Sequence, residues 1–248
     1  MKNYLLIFLS ICVFSNLNAQ LFGGQIKTSI NLATQYPVGS VFCASGPTAI
    51  VEVTNPTTGK VWMDRNLGAS QVATSSTDAA AYGDLYQWGR RSDGHQCRTS
   101  ATTNTLSSVD QPAHGNFIVT TSDWRNPANN NLWQGINGIN NPCPIGFRIP
   151  TETEWNNEKN SWSSCWTLLN VIPVSNFLQC VNNQILKLSV NGKRSANLGT
   201  PLFVDCCFYW SSNLNGLFGK CLYVNFQAVS PDSFEDRGEG IGVRCIKN

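Results

Sequence analysis

Apolar and polar positions follow three different patterns along this chain, and each predicts a different kind of element. Short extended runs come first. Residues 49–53 (AIVEV) and 60–63 (KVWM) flank Asn55-Pro-Thr-Thr-Gly59, a turn signal, which predicts a β-hairpin. A helix is predicted much later. Thr151 and Glu154 have the T-x-x-E spacing of a capping box, where each side chain satisfies a backbone N–H that the first turn leaves unpaired. Trp155, Trp162, Cys165, Trp166 and Leu169 then recur at helical spacing and predict one helix with a core-facing stripe, ending over residues 170–173. Beyond it, residues 185–190, 203–210, 221–226 and 241–246 are predicted strands between Gly and Asn turns. In 221–226, Leu222, Val224 and Phe226 alternate with Cys221, Tyr223 and Asn225, giving the single apolar face of a half-buried strand. Strands, then a helix, then strands predict an α+β domain.

Two stretches break these patterns. Tyr82-Gly-Asp-Leu-Tyr-Gln-Trp-Gly89 packs three aromatics and two glycines into eight residues. Residues 90–142 are a long, irregular insertion rich in Thr, Ser and Asn. A loop of this length inside a domain usually carries function or disorder, and Trp124 and Trp133 within it argue that parts are ordered.

The N-terminus reads as a secretory signal peptide over residues 1–19: Lys2, a mostly apolar stretch over residues 4–14, then a polar region with cleavage after Ala19. The apolar stretch is too short to span a bilayer, which takes about 20 residues. Cys12 follows Ile11, where a lipoprotein signal needs a small residue, and no later stretch predicts a membrane span. Residues 20–47 are an N-terminal lead-in and 48–248 one domain. Loss of residues 1–19 removes Lys2 and Cys12, leaving 229 residues, a net charge of +1 and nine cysteines. That near-neutral charge gives no electrostatic case for nucleic acid. Charged residues make up 13 % of the chain, against about 25 % in ordinary proteins, so its polarity comes from Asn, Ser and Thr. Nine cysteines in an exported chain predict disulfides, with at least one thiol left over. No C-x-x-C pair occurs and only His95 and His114 could add imidazoles, so no zinc or other metal site is predicted.

Four segments in this order carry a family resemblance: Gly59-Lys-Val-Trp-Met-Asp-Arg-Asn-Leu-Gly68, the residue 82–89 segment, Cys143-Pro-Ile-Gly-Phe-Arg-Ile-Pro-Thr-Glu-Thr-Glu-Trp155, and Tyr209-Trp-Ser-Ser212 followed by Val243-Arg-Cys-Ile246. Together they resemble the Fibrobacter succinogenes major paralogous (FISUMP) domain family, from about Thr48 to the C-terminus. The resemblance implies a C-type-lectin-like fold of the variety shared with formylglycine-generating enzymes, stapled by disulfides. It also implies a secreted or surface protein of the kind found in Bacteroidota, and a disulfide between Cys143 and Cys245. Further candidate pairings are Cys206 or Cys207 with Cys221, Cys165 with Cys180, and Cys43 with Cys97.

The formylglycine-generating relatives bind copper through C-x-x-x-x-C, whereas residues 215–226 hold Cys221 alone, and one thiolate cannot supply a two-sulfur site. Gln111-Pro-Ala113 and Trp210-Ser-Ser212 lack the oxygen donors of a calcium-dependent sugar site. Asp232, Glu235 and Asp236 form a small acidic cluster that could hold a cation, with a solvated turn as the alternative. Asp93-Gly-His95 resembles a fragment of an acid–base pair, with no nucleophile beside it. Glu154 is absorbed by the cap, and Glu158 stands at i+4 from it. Trp124 and Trp133, beside Asp123 and Arg125, suit a sugar ring by stacking and hydrogen bonding, or else anchor the loop. The expectation is a non-catalytic, secreted or surface-exposed binding module without cofactor, for a polysaccharide, glycoprotein or surface protein, with the periplasm as the alternative location. A structural component of the cell surface and an enzyme built on the long loop are the alternative functions.

Overall fold

The computed structural model describes residues 19–22, 25–28, 31–43, 46–162, 165, 174–202, 205–225 and 228–248. Residues 1–18 of the predicted signal lie outside these, as do Trp166, Leu169, the predicted helix end at 170–173, and parts of two predicted strands at Phe203 and Phe226. Contacts divide the chain into two units, residues 1–31 and 32–248. In the first, β1 (Ala19–Phe22) and β2 (Gln25–Thr28) pair as an antiparallel hairpin. The second contains, in chain order, β3 (Glu52–Thr54), β4 (Val61–Met63), β5 (Tyr86–Gln87), β6 (Thr102–Thr103), β7 (Phe117–Ile118), β8 (Phe147–Arg148), α1 (Glu152–Asn160), α2 (Val174–Asn183), β9 (Lys193–Arg194), β10 (Pro201–Leu202), β11 (Cys207–Asn215), β12 (Phe218–Val224), β13 (Val229–Asp236), β14 (Gly240–Ile241) and β15 (Ile246–Lys247). The described architecture is mostly β-sheet with few helices, an α+β arrangement with three disulfides. The described part of the lead-in from Leu32 belongs to this second unit: Tyr36 is buried and donates to Thr48 O at 2.7 Å.

The hairpin forms where the turn signal places it, with Glu52 opposite Met63 and Thr54 opposite Val61. β4 then pairs with β15, which also pairs with β8, so the C-terminal strand closes the sheet on its own beginning. The capping box of α1 is complete: Thr151 Oγ1 accepts from Glu154 N, and Glu154 Oε2 accepts from Thr151 N. The predicted helix is interrupted, with Cys165 helical again after the break. α1 stops at Asn160, because Asn and Ser compete with the backbone for hydrogen bonds, and Ser161 Oγ donates to Glu158 O at 2.6 Å. α2 follows separately, and Cys180 on it joins Cys165.

Two predicted strands also change. Residues 185–190 form a turn and irregular chain, because side chains rather than a partner strand meet this backbone: Asn182 Nδ2 donates to Leu188 O and Ser189 N donates to the Tyr209 hydroxyl. Residues 241–246 split between β14 and β15, which belong to different four-stranded sheets.

The β11–β12–β13 sheet divides two apolar cores. On one face, Cys207, Tyr209, Leu222 and Val224 pack with Trp155 of α1 and Phe177 and Val181 of α2. On the other, Phe208, Trp210 and Cys221 pack with Trp88, Trp124 and Trp133. Strand alternation sorts these residues, and the long loop covers the face that the helices leave open. Close approach is built in at Gly83 and Gly89, whose φ values are 72° and 80°. A Cβ would lie 2.4 Å from Leu67 O at Gly83 and 2.8 Å from the Leu132 side chain at Gly89.

The same alternation corrects one cysteine expectation. Cys207 and Cys221 are both free and buried. Cys207 sits opposite Val224 while Cys221 sits opposite Trp210, and the two side chains enter different cores. Three strand residues span about 10 Å, beyond the Cα separation a disulfide bridges. Cys206 is free as well. The disulfides are Cys43–Cys97, Cys143–Cys245 and Cys165–Cys180. Cys143–Cys245 encloses a sequence separation of 102. In the chain-entropy picture its removal, as Cys143→Ser with Cys245→Ser, costs about 4–5 kcal/mol. Urea unfolding midpoints of the double variant against the parent measure this loss.

Candidate functional site

The two loop tryptophans are interior anchors. Trp124 and Trp133 are each 0 % exposed. Trp124 Nε1 donates to Trp88 O at 2.7 Å, and Trp133 Nε1 donates to Asn140 O at 2.9 Å. Burying an indole is tolerable when its N–H finds such a partner. Neither ring offers a face to a sugar, which overturns the stacking expectation. Asp123 Oδ1 accepts from Arg125 N, and Asp123 Oδ2 lies 3.4 Å from Arg237 Nη1. Arg125 Nε lies 2.7 Å from Asp110 Oδ1, and its Nη1 donates to Pro127 O. All four predicted ligand residues thus serve the loop's own folding.

The other candidate groups are similarly engaged. His95 is fully buried; its Nε2 accepts from Gln87 N at 3.0 Å, so Nδ1 carries the proton it shares with Asp93 Oδ1 at 2.7 Å. Burial, helped by the nearby Arg90 charge, holds the imidazole down to about 4. Burial opposes ionisation of Asp93, but His95 and Arg90 outweigh it and hold the carboxyl at about 2. No ring nitrogen of His95 is left for a substrate. Glu154 is consumed by Arg148 and the cap, while Glu158 accepts from Asn55 Nδ2 at 2.8 Å and Trp162 Nε1 at 3.2 Å. The acidic cluster is dispersed along β13: Lys193 pairs with Glu235 at 2.9 Å, and Asp232 accepts from Ser230. No group of three potential metal-ligating side chains occurs among the described residues.

Among the depressions of the described residues, a groove of about 540 Å³ lies beside the Cys143–Cys245 disulfide. One wall is the turn after Tyr36, closed by Ser40 N to Pro37 O at 3.0 Å, which presents Val38 at 96 % exposure. The other is the chain around Ile145, 68 % exposed between Pro144 and Gly146. Ile145 N donates to Gln35 O at 2.7 Å and so fixes the spacing of the walls. The end at residues 136–141 is held from within: Asn141 Nδ2 donates to Ile136 O and Phe147 O, and Asn140 Nδ2 donates to Gly89 O at 2.9 Å. Asn tolerates the left-handed backbone that this tight loop requires, as at Asn140 with φ 64°. Among the described residues, Arg91 is the one charged side chain in the lining. A second depression of about 460 Å³, containing His114, shares Arg91 and Gln111 with the first.

No protein-family model matches the chain, and neither a curated protein nor a solved structure matches it. Val38, Arg91 and Ile145 were not singled out in the sequence. The available signal was local: Val38 and Ile145 are each followed by a glycine and preceded by a proline, so each is an aliphatic residue displayed on a turn. No described helix is long and apolar enough to cross a membrane.

Asp84 supplies a pH test of this interior. Burial pushes its carboxyl up to about 7, with Arg98 opposing. The folded state therefore keeps a proton that the unfolded chain releases, and stability falls as pH rises from about 4 to 7. His95 acts oppositely: between about 4 and 6.5 the unfolded chain takes up a proton that the fold refuses, so stability rises with pH. Asp84→Asn removes the first effect. The variant gains stability from pH 4 to 6.5 where the parent stays comparatively flat, and its advantage over the parent is larger at pH 8 than at pH 5. Urea midpoints across pH 4–8 read both.

Proposed function

We propose that this chain is an exported, non-catalytic binding module whose ligand is an extended peptide segment of a protein partner, taken in the Val38–Ile145 groove. The exposed aliphatic walls carry this reading: Val38 and Ile145 face solvent, while the lining aromatic, Phe147, is 3 % exposed. Aliphatic side chains seat the side chains of a peptide, and the flanking amides of Asn137, Asn141 and Gln111 suit its backbone. Sugar rings would instead call for an open aromatic face, which this groove lacks.

The proposal places the module in the FISUMP family with a C-type-lectin-like fold. Two features support it. The C-terminal β15 lies between β4 and β8, and the Cys143–Cys245 disulfide ties the start of the helical segment to that strand. Three disulfides support export to an oxidising compartment, secreted or at the cell surface. A second reading, contact with carbohydrate, is favoured by one observation. Phe218 and Phe234 are 39 % and 50 % exposed and pack with ring centroids 5.3 Å apart, at the end of the sheet remote in register from Cys207.

Paired arrays of random peptides and of glycans, overlaid with the purified protein, separate these readings. The peptide reading predicts peptide hits that Ile145→Asp abolishes while Phe234→Ala leaves them intact. Glycan hits abolished by Phe234→Ala, with no peptide hits, would transfer the function to the aromatic pair.

A further inference from the structure

Arg91 stands out by what it does not pair with. Other arginines near it spend their charge on carboxylates: Arg90 meets Asp93 at 2.8 Å and Arg125 meets Asp110 at 2.7 Å. Arg91 Nη2 instead donates to Val38 O at 2.6 Å and Nη1 to Gln111 Oε1 at 3.1 Å, both neutral acceptors. No ion pair of the described residues includes it. The Asp93 carboxylate, two residues away, is already taken by Arg90 and His95. The guanidinium therefore lies between the two depressions as a fixed, uncompensated positive charge, next to the exposed Val38.

We infer that the groove selects acidic peptides: an aliphatic side chain rests against Val38 and Ile145 while an Asp or Glu side chain nearby in the peptide pairs with Arg91. This rests on the peptide-binding reading and adds the partner's chemistry to it. The geometry favours a carboxylate over a neutral acceptor for two reasons. Arg91 is pre-oriented by Val38 O and Gln111, so little side-chain freedom is lost on binding. A charge-assisted bond to guanidinium is also about twice as strong as a neutral one. The groove lining contains no carboxylate to repel the ligand or to compete for Arg91.

Gln111→Glu gives the sharpest test, because it places a carboxylate against Arg91 at an exposed position and leaves the guanidinium and its turn in place. A random peptide array identifies hits, and one synthetic hit is then titrated by fluorescence polarisation beside its Asp→Asn or Glu→Gln counterpart. The inference predicts hits that combine an acidic with an aliphatic residue, and a loss of about 10-fold when the peptide acid becomes an amide. Gln111→Glu loses a similar factor and no longer distinguishes acid from amide, and Arg91→Gln behaves likewise. Hits that Ile145→Asp abolishes but that bind equally as acid and amide would overturn the inference and leave the peptide reading standing. An array without peptide hits would overturn the peptide reading and this inference together.

Discussion

The structure depends on one constraint: β11 and β12 are buried on both faces, so each face must be covered by apolar mass. The helices cover one face, with Trp155, Phe177 and Val181 against Tyr209 and Leu222. No described helix covers the other face. The covering mass comes from Trp88, Trp124 and Trp133, carried by irregular chain and packed against Trp210. Irregular chain carries polar backbone into the interior, where unpaired groups are costly. The indoles help solve this themselves, since Trp88, Trp124, Trp133, Trp155 and Trp210 each donate Nε1–H to a backbone carbonyl. Each ring is thus both apolar cover and a stitch, and all but that of Trp133 join segments far apart in sequence.

Buried arginines extend the same solution. Arg244 donates to Leu186 O, Met63 O and Asn66 Oδ1, and Arg194 donates to Gly199 O, Cys97 O and Ser100. In a chain with few charges, these guanidiniums act as multidentate donors for loop carbonyls. That use explains how the interior accommodates these charged groups. His95, Asp93, Glu154 and Glu158 have their hydrogen-bonding capacity committed to the frame. Arg91 is the contrasting case, held by neutral acceptors at the surface.

Local signals were legible where the chemistry is local. The turn at Asn55–Gly59, the Thr151–Glu154 capping box and the alternation of Leu222 and Val224 could each be read from a few neighbouring residues. The end of α1 at Asn160 was hidden because Trp155, Trp162 and Cys165 reach one core across a helix end, mimicking a continuous stripe. The roles of Trp124 and Trp133 were hidden for a different reason. A tryptophan in a polar loop looks the same whether it covers a sheet or a ligand, and only the long-range packing decides. The groove was least visible, because it joins residues 37–39, 91, 111 and 136–147, and no single segment of these carries a motif.

Iodide quenching of tryptophan fluorescence tests this account most directly, in a Trp166→Phe background so that the seven indoles buried here report alone. The account predicts blue-shifted emission and almost no quenching until urea unfolds the chain, with peptide ligands leaving both unchanged. An accessible indole in the folded protein, quenched by iodide and protected by a ligand, would contradict it and return the binding site to the long loop.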